Sequence, residues 1–134
     1  MKNILFLTLC MFFLPIHAYE KDNLVYEIIS EDEATVSVRA NEEGFKGTSL
    51  VIPETIDIDG KTYTVTEVEC FGFSDSESLV DVQLPSTLKL LGQQCFDECY
   101  NLKSVDIPNG CKLESYIFYG CLTSRSEERF SRNA

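Results

Sequence analysis

The amino-acid sequence predicts a β-rich solenoid, in which about three coils of 22–23 residues with parallel strands follow a β-hairpin cap. Three observations support this fold class. A strand pattern of two apolar residues around a variable one, ending in proline, occurs three times. The stretches around this pattern repeat at a nearly constant spacing. Two further β-forming runs precede the first copy. The chain has 134 residues, of which 44% are hydrophobic and 25% charged, and this suits one small folded domain.

The repeat is clearest where residues 79–85 recur as residues 102–108, at a shift of 23 residues. The same shift carries Phe73 onto Phe96, and a further 22 residues carry Phe96 onto Phe118. One such unit cannot bury its apolar side, whereas stacked units can, because equivalent residues then pile into ladders. The sequence therefore predicts that Phe96 contacts the two other phenylalanines in the core of a right-handed solenoid.

The first copy of the strand pattern, residues 50–53, lies 32 residues before the second copy. The longer interval is explained by an inserted turn at Asp59-Gly60, between two β-forming runs, which predicts a hairpin. The string from Asp57 to Gly60 is also compatible with a calcium loop, but the remaining ligands of the EF-hand pattern are missing. We therefore predict no metal and no cofactor.

Residues 87–108 read TLKLLGQQCFDECYNLKSVDIP, and this pattern resembles the BspA-like leucine-rich repeat, approximately V-x-x-I-G-x-x-A-F-x-x-C-x-x-L-x-x-I-x-I-P. The resemblance covers about residues 47–121. It departs from the family at Cys95, where alanine is usual, and at Gly72 and Ser76, where alanine and cysteine are expected. The resemblance implies a solenoid of leucine-rich-repeat type and an exported, bacterial-type surface protein that acts in adhesion or partner binding.

The two ends of the chain differ from the repeats. Residues 1–18 predict a signal peptide, because Lys2 precedes an apolar run that Pro15 ends before it reaches the length of a transmembrane span. Residues 19–46 predict the β-hairpin cap, which covers the first coil of the solenoid at residues 47–121. Residues 122–134 carry three arginines and no repeat anchor, so we predict a disordered non-repeat tail and self-association through the uncapped C-terminal coil.

Five cysteines remain after residue 18, at positions 70, 95, 99, 111 and 121. An odd number argues against a complete disulfide framework in an exported chain. Cys99 and Cys121 occupy equivalent positions in adjacent coils, so we expect them to be neighbours. They can act as small buried hydrophobic residues or form a disulfide, and the sequence favours the first interpretation.

Charge and composition exclude several functions. The sequence has 22 acidic and 11 basic residues, a formal net charge of −11 and a pI near 4.4, which is the wrong sign for a nucleic-acid partner. The only histidine, His17, lies in the predicted signal peptide. Without it, the chain cannot assemble a Ser-His-Asp triad, a Cys-His dyad or a His-ligated metal site, so we predict that it is not an enzyme.

These observations favour an exported, non-enzymatic recognition module that binds an extracellular or cell-surface protein through the open strand face of the solenoid. Strand alternation turns two rows of side chains outward. These are the candidate binding residues: Ser49, Asp81 and Ser104 in one row, and Val51, Gln83 and Asp106 in the other. The rows lack aromatic and arginine anchors, so they are also compatible with a merely solvated face. The sequence is compatible as well with a truncated remnant of a longer repeat protein, or with an exported enzyme or accessory domain that uses acidic residues.

Overall fold

The computed structural model describes residues 18–121, which form ten β-strands. The strands are β1 Ala18–Lys21, β2 Leu24–Ser30, β3 Thr35–Ala40, β4 Ser49–Val51, β5 Thr55–Ile58, β6 Lys61–Val68, β7 Asp81–Gln83, β8 Leu90–Leu91, β9 Ser104–Val105 and β10 Lys112–Leu113. No helix in this range is long and apolar enough to cross a membrane. The predicted signal peptide, apart from Ala18, and the predicted tail at 122–134 lie outside the described residues.

The three copies of the strand pattern form one small parallel sheet, in the order β4, β7, β9. Leu50 of β4 pairs with Val82 of β7, which pairs with Val105 of β9, and all three side chains are buried. A proline follows shortly after each strand, where its missing N–H ends the hydrogen-bonded ladder. The predicted solenoid with stacked parallel strands is therefore confirmed.

A second parallel ladder lies on another side of each coil. Val68 of β6 pairs with Leu91 of β8, which pairs with Leu113 of β10. The sequence predicts the parallel strands of the first ladder, and this second ladder was not predicted. The strands β8 and β10 have two residues each, too few to show the alternation by which a strand is recognised.

The predicted N-terminal hairpin is confirmed by β2 and β3, which pair antiparallel around a turn at residues 31–34. The hairpin extends the larger sheet, since β3 pairs in parallel with β6 and β1 pairs with β2. Val36 and Val38 of β3 are fully buried. The hairpin therefore covers the first coil by adding further strands to its ladder, as a cap of a repeat array must.

The inserted turn is a hairpin formed by β5 and β6. Asp59 and Gly60 both have positive φ, 50° and 83°, as a two-residue hairpin turn of this kind requires. The Asp57 carboxylate accepts a hydrogen bond of 2.6 Å from the Thr62 hydroxyl across the hairpin. Among residues 18–121 no group of three or more acidic, cysteine or histidine residues is placed to hold a metal ion.

The third side of the solenoid consists of three equivalent turn segments, residues 70–75, 93–98 and 115–120. Backbone hydrogen bonds join them from coil to coil: the Phe73 N–H donates to the Cys95 carbonyl (2.8 Å) and the Phe96 N–H to the Ile117 carbonyl (3.1 Å). The second and sixth positions of every segment have positive φ. These residues are Phe71, Asp75, Gln94, Glu98, Tyr116 and Gly120. The repeat therefore reproduces backbone conformation as well as side-chain position.

The phenylalanine ladder is confirmed. The Phe96 ring stacks between Phe73 (centroid distance 5.8 Å) and Phe118 (6.0 Å), with interplanar angles of 14° and 9°. At the N-terminal end of the ladder, Phe45 packs edge-on against Phe73 at 6.1 Å. Phe45 is outside the repeats and was not anticipated from the sequence. At the other end, Leu113 and Phe118 are half-buried and Ile117 is buried, and the self-association expected through this coil stays a prediction.

Cysteine and serine form a second ladder beside the phenylalanines. Ser76 and Cys99 both donate to the Phe73 carbonyl, at 2.8 and 3.3 Å, and Cys121 donates to the Phe96 carbonyl at 3.2 Å. The structure describes all five cysteines after residue 18 as thiols, which agrees with the favoured interpretation of Cys99 and Cys121. Ser76 can replace a cysteine here because its hydroxyl donates the same kind of hydrogen bond.

Candidate binding site on the strand face

The strand face is the outward side of β4, β7 and β9. The structure brings together all six residues predicted from the sequence, and all six are exposed. Ser49 pairs with Asp81, which pairs with Ser104, and Val51 pairs with Gln83. Asp106 follows β9 directly. Val51 is the most apolar of the six, and its side chain is 58% exposed.

The strand face is rigid because the backbone beneath it is hydrogen-bonded between coils. The Thr48 carbonyl accepts from the N–H groups of Val80 (2.7 Å) and Asp81 (3.1 Å). The Lys103 N–H donates to the Val80 carbonyl at 3.0 Å, and the Ile52 N–H donates to the Gln83 carbonyl at the same distance. Rows of polar side chains on such a platform keep their spacing when a partner binds, which reduces the entropy lost on association.

A groove of about 400 Å³ adjoins the N-terminal side of the strand face. Ser49 and Val51 line one wall, and Lys21, Asp22 and Phe45 contribute from the hairpin side. Tyr26 also lines it, and burial together with the charge of Asp22 raises the pKa of the Tyr26 phenol to about 12. The phenol therefore stays protonated and can donate a hydrogen bond at neutral pH.

Sequence reasoning missed the groove. Besides β4, its lining comes from residues 21–26, Phe45 and residues 53–56, and no repeat relates these segments to one another. In the sequence, the one indication of this groove was an apolar residue, Val51, at an outward strand position beside a predicted hairpin. Together the groove and the strand face present several hydroxyls, the Gln83 amide, three carboxylates, the Lys21 ammonium and a small apolar surface. This combination suits reversible binding of a polar surface.

An ion-pair cluster on the larger sheet contains the carboxylate whose pKa, among residues 18–121, differs most from its usual value. The Arg39 guanidinium lies 3.0 Å from the Glu69 carboxylate and 4.0 Å from that of Glu27, and the Ser37 hydroxyl donates to Glu69 at 2.9 Å. Burial and the neighbouring Glu27 raise the pKa of Glu69 to about 7. The ion pair with Arg39 lowers the pKa of Glu69, but this effect is smaller because Arg39 is shared between two carboxylates.

This pKa predicts a pH-dependent stability. Glu69 binds its proton more tightly in the folded chain than in the unfolded one, so its contribution is complete below about pH 4.5 and is lost as the pH rises toward 7. We expect a loss on the order of 1 kcal/mol, because partial solvation screens the interaction. Urea unfolding between pH 4.5 and 7.5 measures it. Glu69→Gln should flatten the profile and Glu67→Gln should not; the same slope in the wild type and Glu69→Gln would contradict the assignment.

Comparison with known proteins supports the fold at two levels. The family model described as BspA type leucine rich repeat region, with six copies, matches residues 40–130. A search of curated proteins gave no match. The family model therefore covers every strand from β4 to β10.

Three solved structures share the fold. A leucine rich cell surface protein from Faecalibacterium prausnitzii has a TM-score of 0.69 and 20% identity over 87% of this chain. The leucine rich repeat protein of T. pallidum has a TM-score of 0.63 and 28% identity over 78% of it. A leucine-rich repeat protein from Bacteroides capillosus has a TM-score of 0.62 and 20% identity over 87%. The chain spans 30%, 46% and 99% of these three proteins, respectively.

Proposed function

The chain belongs to the BspA-type leucine-rich repeat family, and on that premise we propose that it is a non-enzymatic recognition module that binds another protein through its strand face. Repeat solenoids of this kind expose a long, regular surface that is well suited to contact with macromolecules. The chain carries its only histidine at position 17, so the described part lacks the imidazole on which much hydrolytic chemistry depends.

The observation that carries the proposal is the arrangement of the six strand-face residues. All six are exposed, five of them are paired in register across β4, β7 and β9, and the coil-to-coil backbone hydrogen bonds keep them on a rigid platform. The adjoining groove adds an apolar wall at Val51 and Phe45. A partner that presents hydrogen-bond donors and one apolar side chain would complement this surface.

We further propose that the module works outside the cell, as a secreted or cell-surface protein with an extracellular partner. The apolar segment before residue 18 supports export. The F. prausnitzii protein of similar fold is described as a cell surface protein. Adhesion to host or bacterial surface proteins is the corresponding role.

Reversing the charge of the strand face should abolish binding without unfolding the chain. In Asp81→Arg with Asp106→Arg, both changed side chains are exposed, so the melting temperature should stay within about 2 °C of the wild type. Pull-down with a panel of extracellular matrix and bacterial surface proteins identifies the partner, and surface plasmon resonance measures its loss.

The matched control is Glu33→Arg with Glu43→Arg, which makes the same change in net charge at exposed positions outside the strand face. It should keep at least half of the wild-type binding, since rim charges change affinity little. Full binding by the Asp81 and Asp106 double variant would show that the partner binds elsewhere and not on the strand face.

A further inference from the structure

The turn face, the exposed side of the turn segments 70–75, 93–98 and 115–120, carries an aromatic patch. Five large apolar side chains are strongly exposed in the described part of the chain, and three of them lie here: Phe71 (52%), Tyr116 (65%) and Tyr119 (60%). The repeat does not need them for its core, because the inward position of each segment is already filled by Phe73, Phe96 or Phe118. Exposed aromatic groups of this kind commonly mark a binding surface.

Two of the three aromatic side chains are in contact. The rings of Tyr116 and Tyr119 meet edge to face, with centroids 6.0 Å apart. Phe71 and Tyr116 occupy the same position two coils apart, with Gln94 between them. Neighbouring hydrogen-bonded coils are about 5 Å apart, so Phe71 and Tyr116 are separated by roughly 10 Å along the turn face. A partner segment of a few residues in extended conformation can contact both ends of this patch.

The turn segments themselves carry only negative charge: Asp75, Asp97 and Glu98 lie in them, and no lysine or arginine does. At the first segment, Arg39 and Lys46 from outside the repeats line a pocket together with Phe71 and Asp75. The surface next to the tyrosine pair, with Asp97 and Glu98, is therefore the most acidic part of the turn face. Carboxylates beside exposed tyrosines form a surface that favours a cation, through ion pairs and through contact with the ring faces.

Two carboxylates of the middle turn segment, those of Asp97 and Glu98, lie near the tyrosine pair in sequence register. The Asp97 Oδ2 accepts a hydrogen bond of 3.0 Å from the Gln94 amide, whereas its Oδ1 is buried and has no hydrogen-bond partner in the described structure. Asp97 occupies the position equivalent to Tyr119 in the preceding coil, and the next residue, Glu98, donates its N–H to the Tyr119 carbonyl at 2.8 Å. The Glu98 carboxylate lies against Gly120, next to Tyr119, because a Cβ atom at Gly120 would be 2.7 Å from Glu98 Oε1. Asp97 adds a second negative charge one coil before the tyrosine pair, although its buried Oδ1 is not accessible to a partner.

We infer that the turn face binds an extended segment of a partner protein that carries arginine or lysine side chains. An uncharged apolar partner would bury these carboxylates without compensation, which is unfavourable, and an acidic partner would be repelled. Arginine fits best, since its planar guanidinium can pair with a carboxylate and stack on a tyrosine ring. The inference adds a second surface to the module, since the strand face has two carboxylates but no aromatic side chain.

The test uses the full chain and a fluorescent ten-residue peptide of alternating arginine and serine, with the glutamate and serine peptide as its control. The arginine peptide should bind in a salt-dependent manner and the glutamate peptide should not. Tyr116→Ala with Tyr119→Ala should weaken binding by about tenfold, the value expected for the loss of one or two cation–π contacts. Asp97→Asn, which removes one negative charge, should also weaken binding of the arginine peptide.

The matched control is Ile29→Ala with Glu33→Gln on the N-terminal hairpin, which removes one exposed apolar side chain and one charge outside both faces. It should change peptide affinity by less than about twofold, because exposed charges this far away are largely screened. Equal losses in the two double variants would show general attraction to an acidic protein and overturn the inference. An unchanged affinity of the tyrosine double variant would do the same, while melting curves confirm that each variant is folded.

The arginines at positions 125, 129 and 132 are a second possible source of the same chemistry. If the turn face binds a partner protein and not these arginines, replacing all three with serine should leave the peptide affinity unchanged. Tightening by about tenfold or more would show that the chain's own C-terminal residues compete for the turn face, and would overturn the assignment to a partner protein. The strand-face experiment is independent of this one, because it changes other residues and uses another ligand.

Discussion

Replacing Phe96 with alanine should lower the free energy of unfolding by about 3–5 kcal/mol, the usual cost of removing a buried aromatic ring. Phe96 has no exposed surface, and its ring lies between those of Phe73 and Phe118. The truncation therefore removes both stacking contacts and leaves a cavity in the middle coil. Because a small domain is stable by only about 5–15 kcal/mol, much of the chain should unfold at moderate temperature. Urea unfolding followed by circular dichroism measures the change.

Gln83→Ala is the matched control, because Gln83 is exposed on the strand face and should change stability by no more than about 0.5 kcal/mol. If Phe96→Ala is too unstable to purify, Phe96→Leu retains part of the buried surface and should give an intermediate midpoint. The same midpoint for the Phe96 and Gln83 variants would contradict a ladder of phenylalanines in the core.

Replacing Gly92 with alanine should destabilise the chain by about 1–3 kcal/mol, as overpacking does, although the change adds a single methyl group. A Cβ atom at Gly92 would lie 2.6 Å from the Cys70 backbone nitrogen and 2.7 Å from the Val68 carbonyl oxygen. Both atoms belong to the backbone of the preceding coil, so no side-chain rotation can relieve the overlap. The hydrogen bond from the Gly92 N–H to the Val68 carbonyl, 2.8 Å long, holds the coils at this distance.

Gln93→Ala tests whether the effect belongs to Gly92 itself. Gln93 is the next residue, its side chain is exposed, and its replacement by alanine should cost no more than about 0.5 kcal/mol. Thermal and urea unfolding of both variants give the comparison. A Gly92→Ala chain as stable as the wild type would mean that the coils are farther apart than the structure shows.

The sequence by itself determined the features that depend on repetition. A shift of 22–23 residues between equivalent positions identifies which residues lie one above the other in a solenoid, because each coil contacts its neighbours at a constant spacing. That rule was sufficient to predict the stacked rings at Phe96, the neighbouring thiols at Cys99 and Cys121, and the exposure of the strand-face residues. The Asp59-Gly60 hairpin was equally predictable, since the turn requires positive φ at two successive residues.

Tertiary structure decided the features that join segments with no repeat relationship. Phe45 covers the end of the phenylalanine ladder, and it also lines the groove beside Val51. Arg39, from the hairpin, joins Glu27 to Glu69 of the first coil. The physical reason is that such contacts depend on how the hairpin packs onto the solenoid. The periodicity of apolar residues within a single segment does not predict that packing. The second strand ladder was missed for a related reason: a two-residue strand is defined by its hydrogen-bonded neighbours, and its own sequence is too short to show a period.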